Sequence, residues 1–249
     1  MFSIEDRNSL RDYVLQLAKS DSRVVAGAVV GSLALGDGDR WSDLDLTFSV
    51  ADDHSIFDVL EDWTNNIINK FNATQLFDLP SGGSIYRVFL LPGCLQFDLS
   101  FTPASNFGAI GPKFKLLYGR SVDKPYPKSP ESRELFGYAI HHALRARFCI
   151  ERKRYWQAEY WISGTRDYAF QLACLRRNLS TFHGRGFDDL PTEIHEAFRG
   201  ALVSNLTRDE LLRALRCVVN GLLTEIDGIQ ELAAKVKSQM LELTVEWHT

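Results

Sequence analysis

Hydrophobic positions in the first hundred residues switch between the spacing of strands and the spacing of helices. Residues 24–30 form an unbroken apolar, β-branched run, which is typical of a buried strand. Residues 44–50 alternate between polar and apolar positions and predict a second strand. Apolar side chains recur at helical spacing over residues 54–71, and residues 74–79 have the composition of a further strand.

A capping signal and a turn signal predict two further elements, a helix and a hairpin. Ser3 and Asp6 have the spacing of an N-cap pair and predict a helix that continues to about residue 19. Pro92-Gly93 separates two β-rich runs and predicts a hairpin, whose second arm carries Asp98. The first hundred residues are therefore expected to form an α+β domain with a mixed sheet.

The pattern changes after residue 112. Residues 113–130 contain three prolines and directly follow a fourth, Pro112, so they predict a linker between domains. Beyond the linker the apolar positions recur at helical spacing, and Thr207 with Glu210 has the spacing of a capping box. We expect helices over residues 135–148, 155–179, 192–202 and 211–243, the last with candidate breaks at Gly221 and Gly228. The sequence thus predicts an N-terminal domain at residues 1–112, a linker at 113–130 and an all-α helical bundle at 131–249.

Composition and charge narrow the class of protein. The 249 residues are 45% hydrophobic and 24% charged, which is enough for a sizeable core and argues against disorder. The net charge of −4 argues against a dedicated nucleic-acid binder. The four cysteines form no Cys-x-x-Cys pair, the N-terminus lacks the pattern of a signal peptide, and no apolar run is long enough to span a membrane. We therefore expect a cytoplasmic protein without a membrane segment, and the sequence gives no indication of its oligomeric state.

A Gly-Ser pair and two aspartates carry the strongest chemical signal. Gly31-Ser32 ends the first apolar strand, and Asp43-Leu44-Asp45 opens the second. Side chains alternate along a strand, so the two carboxylates share a face, and a glycine turn lets the backbone approach a phosphate. Two carboxylates beside such a turn suit Mg²⁺ and a nucleoside triphosphate. If the strand of Asp98 lies beside them, Asp98 completes a group of three carboxylates.

Each of these features also has a plainer interpretation. Asp-x-Asp is common in turns, a Gly-Ser pair can simply connect two elements, and Asp98 could be a surface residue in a salt bridge. The combination of all three features in this order favours the metal and nucleotide interpretation.

Residues 29–46 resemble the signature of the nucleotidyltransferase superfamily. That signature is a hydrophobic residue before Gly-Gly or Gly-Ser, a spacer of about ten residues, and two acidic residues that alternate with hydrophobic ones. Asp98 matches the third carboxylate of the family. The resemblance implies a small mixed sheet flanked by helices, a triphosphate bound by Gly31 and Ser32, and two Mg²⁺ ions bound by Asp43 and Asp45. It also implies that Asp98 is either a metal ligand or the base.

The loop between the two motifs departs from the pattern of many small members of the family. Those members have an arginine in the sequence Gly-Ser-x-Ala-Arg-Gly, where this chain has Leu35. Arg40 in the same loop is a candidate replacement for binding phosphate, and the alternative is that Arg40 is a solvated loop residue. Ser42 is counted with Gly31, Ser32 and Arg40 among the candidate nucleotide-binding residues.

The predicted domain order, a catalytic domain followed by a helical bundle, resembles that of the antibiotic nucleotidyltransferases that modify aminoglycosides and lincosamides. It implies an enzyme that transfers a nucleoside monophosphate, expected to be AMP from ATP, to a hydroxyl of a small antibiotic-like molecule and releases pyrophosphate. Glu159 and Trp156 share an aromatic face of the predicted helix 155–179. Glu159 is therefore a second candidate base, and the alternative is an ion pair with Arg166 inside the bundle. Two other functions stay open: transfer to a protein or RNA acceptor, and a non-catalytic nucleotide-binding module.

Overall fold

The computed structural model describes residues 1–247 and divides the chain into two compact units. The first unit is Met1–Pro127, and the second begins at Lys128. The elements of the first unit are α1 (Ile4–Ser20), β1 (Val24–Val30), β2 (Leu44–Val50), α2 (Ile56–Phe71), β3 (Thr74–Ser81), β4 (Ser84–Leu91), β5 (Leu95–Pro103) and β6 (Phe114–Tyr118). The elements of the second unit are α3 (Ser132–Glu151), α4 (Tyr155–Arg176), α5 (Thr192–Phe198), α6 (Arg208–Leu222) and α7 (Gln230–Glu242).

The first unit is built on a mixed six-stranded sheet in the order β3-β4-β5-β2-β1-β6. Strands β2 and β5 are parallel, and every other neighbouring pair is antiparallel. One face of the sheet is apolar and packs with side chains of α1 and α2; this core includes Leu10, Phe48, Trp63, Phe97 and Phe101. The predicted hairpin is confirmed, because β4 and β5 pair antiparallel on either side of Pro92-Gly93.

The start of α1 agrees with its capping signal. The Ser3 hydroxyl accepts a hydrogen bond from the Asp6 N–H, and the Asp6 carboxylate accepts one from the Ser3 N–H, at 3.1 and 2.7 Å. Two backbone donors at the end of the helix are satisfied in this way, which is why the helix begins at Ile4.

Strand β6 lies inside the segment where the sequence predicts a linker. Its five residues pair with β1, and the Phe114 ring lies 5.8 Å from that of Phe107, in a small cluster with Ala26 and Ala28. A short edge strand with mostly exposed side chains has no clear hydrophobic alternation, which explains why the sequence pattern does not reveal it. The first unit therefore continues past residue 112.

The second unit is helical, as the sequence predicts. Its core is formed by α3, α4 and α6 with support from α5 and α7, and small alanine side chains on α3 and α4 allow these helices to pack closely. The helical region predicted over residues 211–243 is divided into α6 and α7, and Gly228 lies between them with a positive φ of 79°. No helix among the described residues has the length and apolar character needed to cross a membrane. The predicted α+β fold class, with a helical C-terminal part, is confirmed.

Candidate active site

Three carboxylates meet at one end of the sheet in the first unit. The parallel pairing of β2 with β5 places Asp45 and Asp98 directly opposite each other. Asp43 directly precedes β2, two residues before Asp45. One carboxylate oxygen from each of the three residues lies within 4.8 Å of the others, and this is the only such group of His, Cys, Asp or Glu within residues 1–247. The structure thus brings together the three aspartates that the sequence analysis selected.

The surroundings of the Asp98 carboxyl raise its pKa above the ordinary value. Burial of the carboxyl raises its pKa, and the negative charge of Asp43 raises it further. The Gln96 amide acts in the opposite direction, because its Nε2 donates a hydrogen bond of 2.9 Å to Asp98 Oδ1. Three partly buried carboxylates repel one another unless a cation lies between them, and hard oxygen ligands of this kind fit Mg²⁺. The donor set therefore fits a divalent metal ion.

The Gly-Ser turn lies directly against this acidic group. Gly31 has a left-handed backbone with φ of 71°, and a Cβ at this position would overlap Asp45 Oδ2. Only glycine tolerates both conditions at low cost. The turn that follows, Gly31–Ala34, is a single 3₁₀ turn that keeps Ser32 partly buried beside the strand end. The close approach of the Gly31 backbone to Asp45 joins the two sequence motifs into one site.

Arg40 and Ser42 make hydrogen bonds that stabilise the loop before Asp43. Arg40 Nη1 donates to the Phe2 carbonyl at 3.2 Å, and its guanidinium lies 4.4 Å from the centre of the Trp41 ring. The Ser42 hydroxyl donates to Asp39 Oδ1 and accepts from the Asp39 N–H, both at 3.0 Å. Their predicted role in nucleotide binding stays a prediction.

Arg7 is a residue of this region that the sequence analysis did not select. It lies on α1 and is 5% exposed, and its Nη1 donates to the carbonyls of Asp39 and Ser42 at 2.8 and 2.5 Å. Those carbonyls belong to the loop that leads into Asp43. A sequence signal does exist, because Arg7 shares a helical face with the buried Leu10 and Val14, where a charged residue is unexpected.

Glu159 lies on α4 in the second unit. It accepts a hydrogen bond of 2.6 Å from the Ser163 hydroxyl at Oε1. Within the described residues Glu159 forms no ion pair with Arg166, whose Nη2 lies 3.8 Å from Asp167 Oδ1. Trp156, which the sequence places on the same helical face as Glu159, is 80% exposed. The role of Glu159 as a base stays a prediction.

Comparisons with known proteins give low similarities. No protein-family model matches the sequence, and no curated protein matches it. Among solved structures, the chain is similar to an aminoglycoside 6-adenyltransferase from Bacillus subtilis, with 13% identity, a TM-score of 0.41, and coverage of 95% of this chain and 98% of the other. It is also similar to a nucleotidyltransferase-like protein from Exiguobacterium sibiricum, with 11% identity, a TM-score of 0.40, and coverage of 94% and 80%.

A third similar structure is the CdnE cyclic dinucleotide synthase from Elizabethkingia meningoseptica with GTP and Apcpp. It has 13% identity and a TM-score of 0.30, with coverage of 89% of this chain and 78% of the other. At such scores these likenesses do not establish a shared activity or substrate. The strand order of the first unit and the geometry of its carboxylates are independent of these likenesses.

Proposed function

We propose that the chain is a Mg²⁺-dependent nucleotidyltransferase. It would transfer a nucleoside monophosphate, AMP from ATP, to a hydroxyl of a small antibiotic-like molecule and release pyrophosphate. The observation that carries the proposal is the meeting of Asp43, Asp45 and Asp98 on two neighbouring parallel strands, with the Gly31 turn packed against Asp45. Carboxylates that hold metal ions beside a glycine turn form the arrangement that nucleotidyl transfer requires.

In this proposal the residues of the first unit divide the chemical work. The oxygen of the acceptor hydroxyl attacks the α-phosphorus, the bond from that phosphorus to the α,β-bridging oxygen breaks, and pyrophosphate leaves with the bond electrons. Asp98 or Glu159 takes the hydroxyl proton. Asp43 and Asp45, with Asp98, would hold two Mg²⁺ ions. When bound, these ions would neutralise the charge that develops on the phosphate oxygens.

The remaining candidate residues bind the substrates in this proposal. The turn at Gly31 and the Ser32 hydroxyl hold the triphosphate tail, while Arg40 and Ser42 exchange their loop hydrogen bonds for phosphate oxygens. Trp156 offers an exposed ring for stacking against the acceptor, and Glu159 beside it is the second candidate for the base.

A pyrophosphate assay tests the proposal. The protein is mixed with Mg²⁺, each of several nucleoside triphosphates, and a panel of aminoglycosides, lincosamides and other polyols. We expect pyrophosphate release that Asp45→Asn lowers by about a thousandfold, because several kcal/mol of charge stabilisation are lost. The matched control is Asp37→Asn, the same chemical change at an exposed position of the preceding loop, and it should keep its activity.

The same assay separates the proposal from its alternatives. Full turnover by Asp45→Asn would contradict a metal site at these carboxylates. Mg²⁺-dependent ATP binding without pyrophosphate for any acceptor would indicate a nucleotide-binding module. Label from ATP that appears on proteins or RNA of a cell extract would assign a macromolecular acceptor instead. Glu159→Gln distinguishes the two candidate bases, because Glu159 is not among the proposed metal ligands: turnover that falls without weaker ATP binding assigns the base to Glu159, and unchanged turnover assigns it to Asp98.

A further inference from the structure

A lysine lies next to the Gly-Ser turn because β6 pairs with β1. In that antiparallel pair Val30 is opposite Phe114, and the Gly31 N–H donates a hydrogen bond of 3.2 Å to the Lys113 carbonyl. Lys113 directly precedes β6, so the alternation of the strand does not fix the direction of its side chain. The backbone of this lysine is thus held against the residue that opens the candidate phosphate turn.

Lys113 is also a cation whose ammonium group is not engaged by another described residue. Leu35 occupies the position at which the resemblance to the nucleotidyltransferase signature implies an arginine. Arg40, the replacement that the sequence suggests, can bind phosphate only by giving up its hydrogen bond to the Phe2 carbonyl and its contact with the Trp41 ring. Lys113 is exposed, and its ammonium group makes no ion pair or hydrogen bond within the part of the chain that the structure describes.

The strand order places these groups in a line along one end of the sheet. Asp98 on β5, Asp45 on β2, Gly31 after β1 and Lys113 before β6 lie on consecutive strands. Neighbouring strands are about 4.8 Å apart. A triphosphate with its α-phosphorus at the carboxylates, and its tail directed toward Gly31, therefore ends within reach of a lysine side chain at position 113.

We propose that Lys113 binds the terminal phosphate of the nucleoside triphosphate, and thereby makes the site selective for triphosphates over monophosphates. This inference rests on the proposed function, because it takes the carboxylates as the site of the α-phosphorus. The lysine ammonium is a compact point charge that pairs with phosphate oxygens, and it takes the place of the arginine that the loop lacks.

Nucleotide binding to three variants tests the role of Lys113. The variants are Lys113→Ala, Lys113→Arg and, as the matched control, Lys115→Ala. Lys115 is exposed on β6, two residues after Lys113 and opposite Val29. All three substitutions keep the backbone carbonyl that accepts from Gly31. Dissociation constants for ATP and AMP are measured by calorimetry with Mg²⁺ present.

We expect Lys113→Ala to weaken ATP binding by about tenfold, since one charge-assisted contact is lost, and to leave AMP binding unchanged. Lys113→Arg should bind ATP nearly as tightly as the wild type, and Lys115→Ala should match the wild type for both nucleotides. A merely structural role of Lys113 would weaken ATP and AMP binding together, and that result overturns the proposal.

Failure of this inference can be distinguished from failure of the proposed function. If the wild-type protein binds ATP but Lys113→Ala binds it as tightly as Lys115→Ala, only the role of Lys113 is wrong. If the wild-type protein binds neither ATP nor AMP with Mg²⁺ present, the proposed function is wrong, and the inference about Lys113 is overturned with it.

Discussion

At the scale of a single residue, Gly31 brings the Gly-Ser turn against the carboxylates of the candidate site. Its backbone is left-handed, and the space that a side chain would need is filled by the carboxylate of Asp45. Gly36 in the following loop is also left-handed, with φ of 84°, but a Cβ there would meet no atom within 4 Å. The two glycines therefore share the conformational requirement and differ only in their neighbours.

This pair of glycines gives a controlled test of how closely the turn fits the acidic site. Gly31→Ala should weaken the binding of Mn²⁺, used as a spectroscopic substitute for Mg²⁺, by about tenfold or more, because the new methyl group displaces the Asp45 carboxylate. Both Gly31→Ala and Gly36→Ala should lower the free energy of unfolding by about 1–2 kcal/mol through the left-handed backbone. Electron paramagnetic resonance measures free Mn²⁺, and urea denaturation measures stability. Equal weakening of Mn²⁺ binding in the two variants would refute the argument.

Residue patterns in the sequence predicted only part of the site. Asp43, Asp45 and Gly31 could be identified because a two-residue period and a glycine turn are local features of the chain. Whether Asp45 and Asp98 lie side by side depends on which strands pair. The sequence could therefore predict their proximity only on the condition that their strands are neighbours. The contacts of Arg7 and Lys113 in this region were not predicted, because they involve backbone carbonyls, which are the same in every residue. Arg7 donates to the carbonyls of Asp39 and Ser42, and the Lys113 carbonyl accepts from the Gly31 N–H.

Helix α1 holds the loop that precedes Asp43 at the scale of whole elements. The Arg7 guanidinium spans the gap from the helix to two carbonyls of this loop, Asp39 and Ser42. The Phe2 carbonyl accepts from Arg40 of the same loop, while its N–H donates to Gly93 in the β4–β5 turn. The position of Asp43 thus depends on a helix that carries none of the three carboxylates.

Removal of the Arg7 guanidinium should loosen the loop and weaken metal binding. In Arg7→Met the two carbonyls lose their donor, so we expect a loss of about 1–3 kcal/mol in the free energy of unfolding and a several-fold weaker affinity for Mn²⁺. Arg7→Lys, which can still donate to one carbonyl, should recover part of both. These quantities are measured by urea denaturation and metal titration.

The matched control for this prediction lies one helical turn further along α1. Arg11 is partly exposed and pairs with the neighbouring Asp12 at the surface, so Arg11→Met should change neither stability nor metal affinity by much. A weaker metal affinity in Arg11→Met as large as that in Arg7→Met would show that the charge of α1, and not its contact with the loop, is responsible.

Most elements could be predicted from the sequence, and the exceptions have physical causes. Helix α1, strands β1 and β2, and the β4–β5 hairpin have strong periodicity or capping residues. Strand β6 has five residues, mostly exposed, so neither burial nor alternation identified it. Its pairing is nonetheless what covers the edge of β1.

The boundary of the first unit is a property of the molecule as a whole. Each unit has its own hydrophobic core, and the first core includes residues from α1 to β5. Strand β6 adds a small cluster in which Phe114 packs with Ala26, Ala28 and Phe107. The structure divides the chain after Pro127, whereas the sequence pattern places the end of the first domain at residue 112.

Two fragments compare these boundaries directly. A fragment of residues 1–127 should unfold cooperatively in urea and run as a compact species in gel filtration. A fragment of residues 1–112 lacks β6, so it should be less stable by at least about 2 kcal/mol, because apolar area is exposed, and should aggregate through the unpaired edge of β1. Phe114→Ala in the longer fragment separates the two causes: it removes the packed ring but keeps the strand pairing, so it should lose stability without aggregating. If both fragments had the same urea midpoint and the shorter one stayed monomeric, β6 would contribute nothing to the unit, and the boundary at residue 112 would be correct.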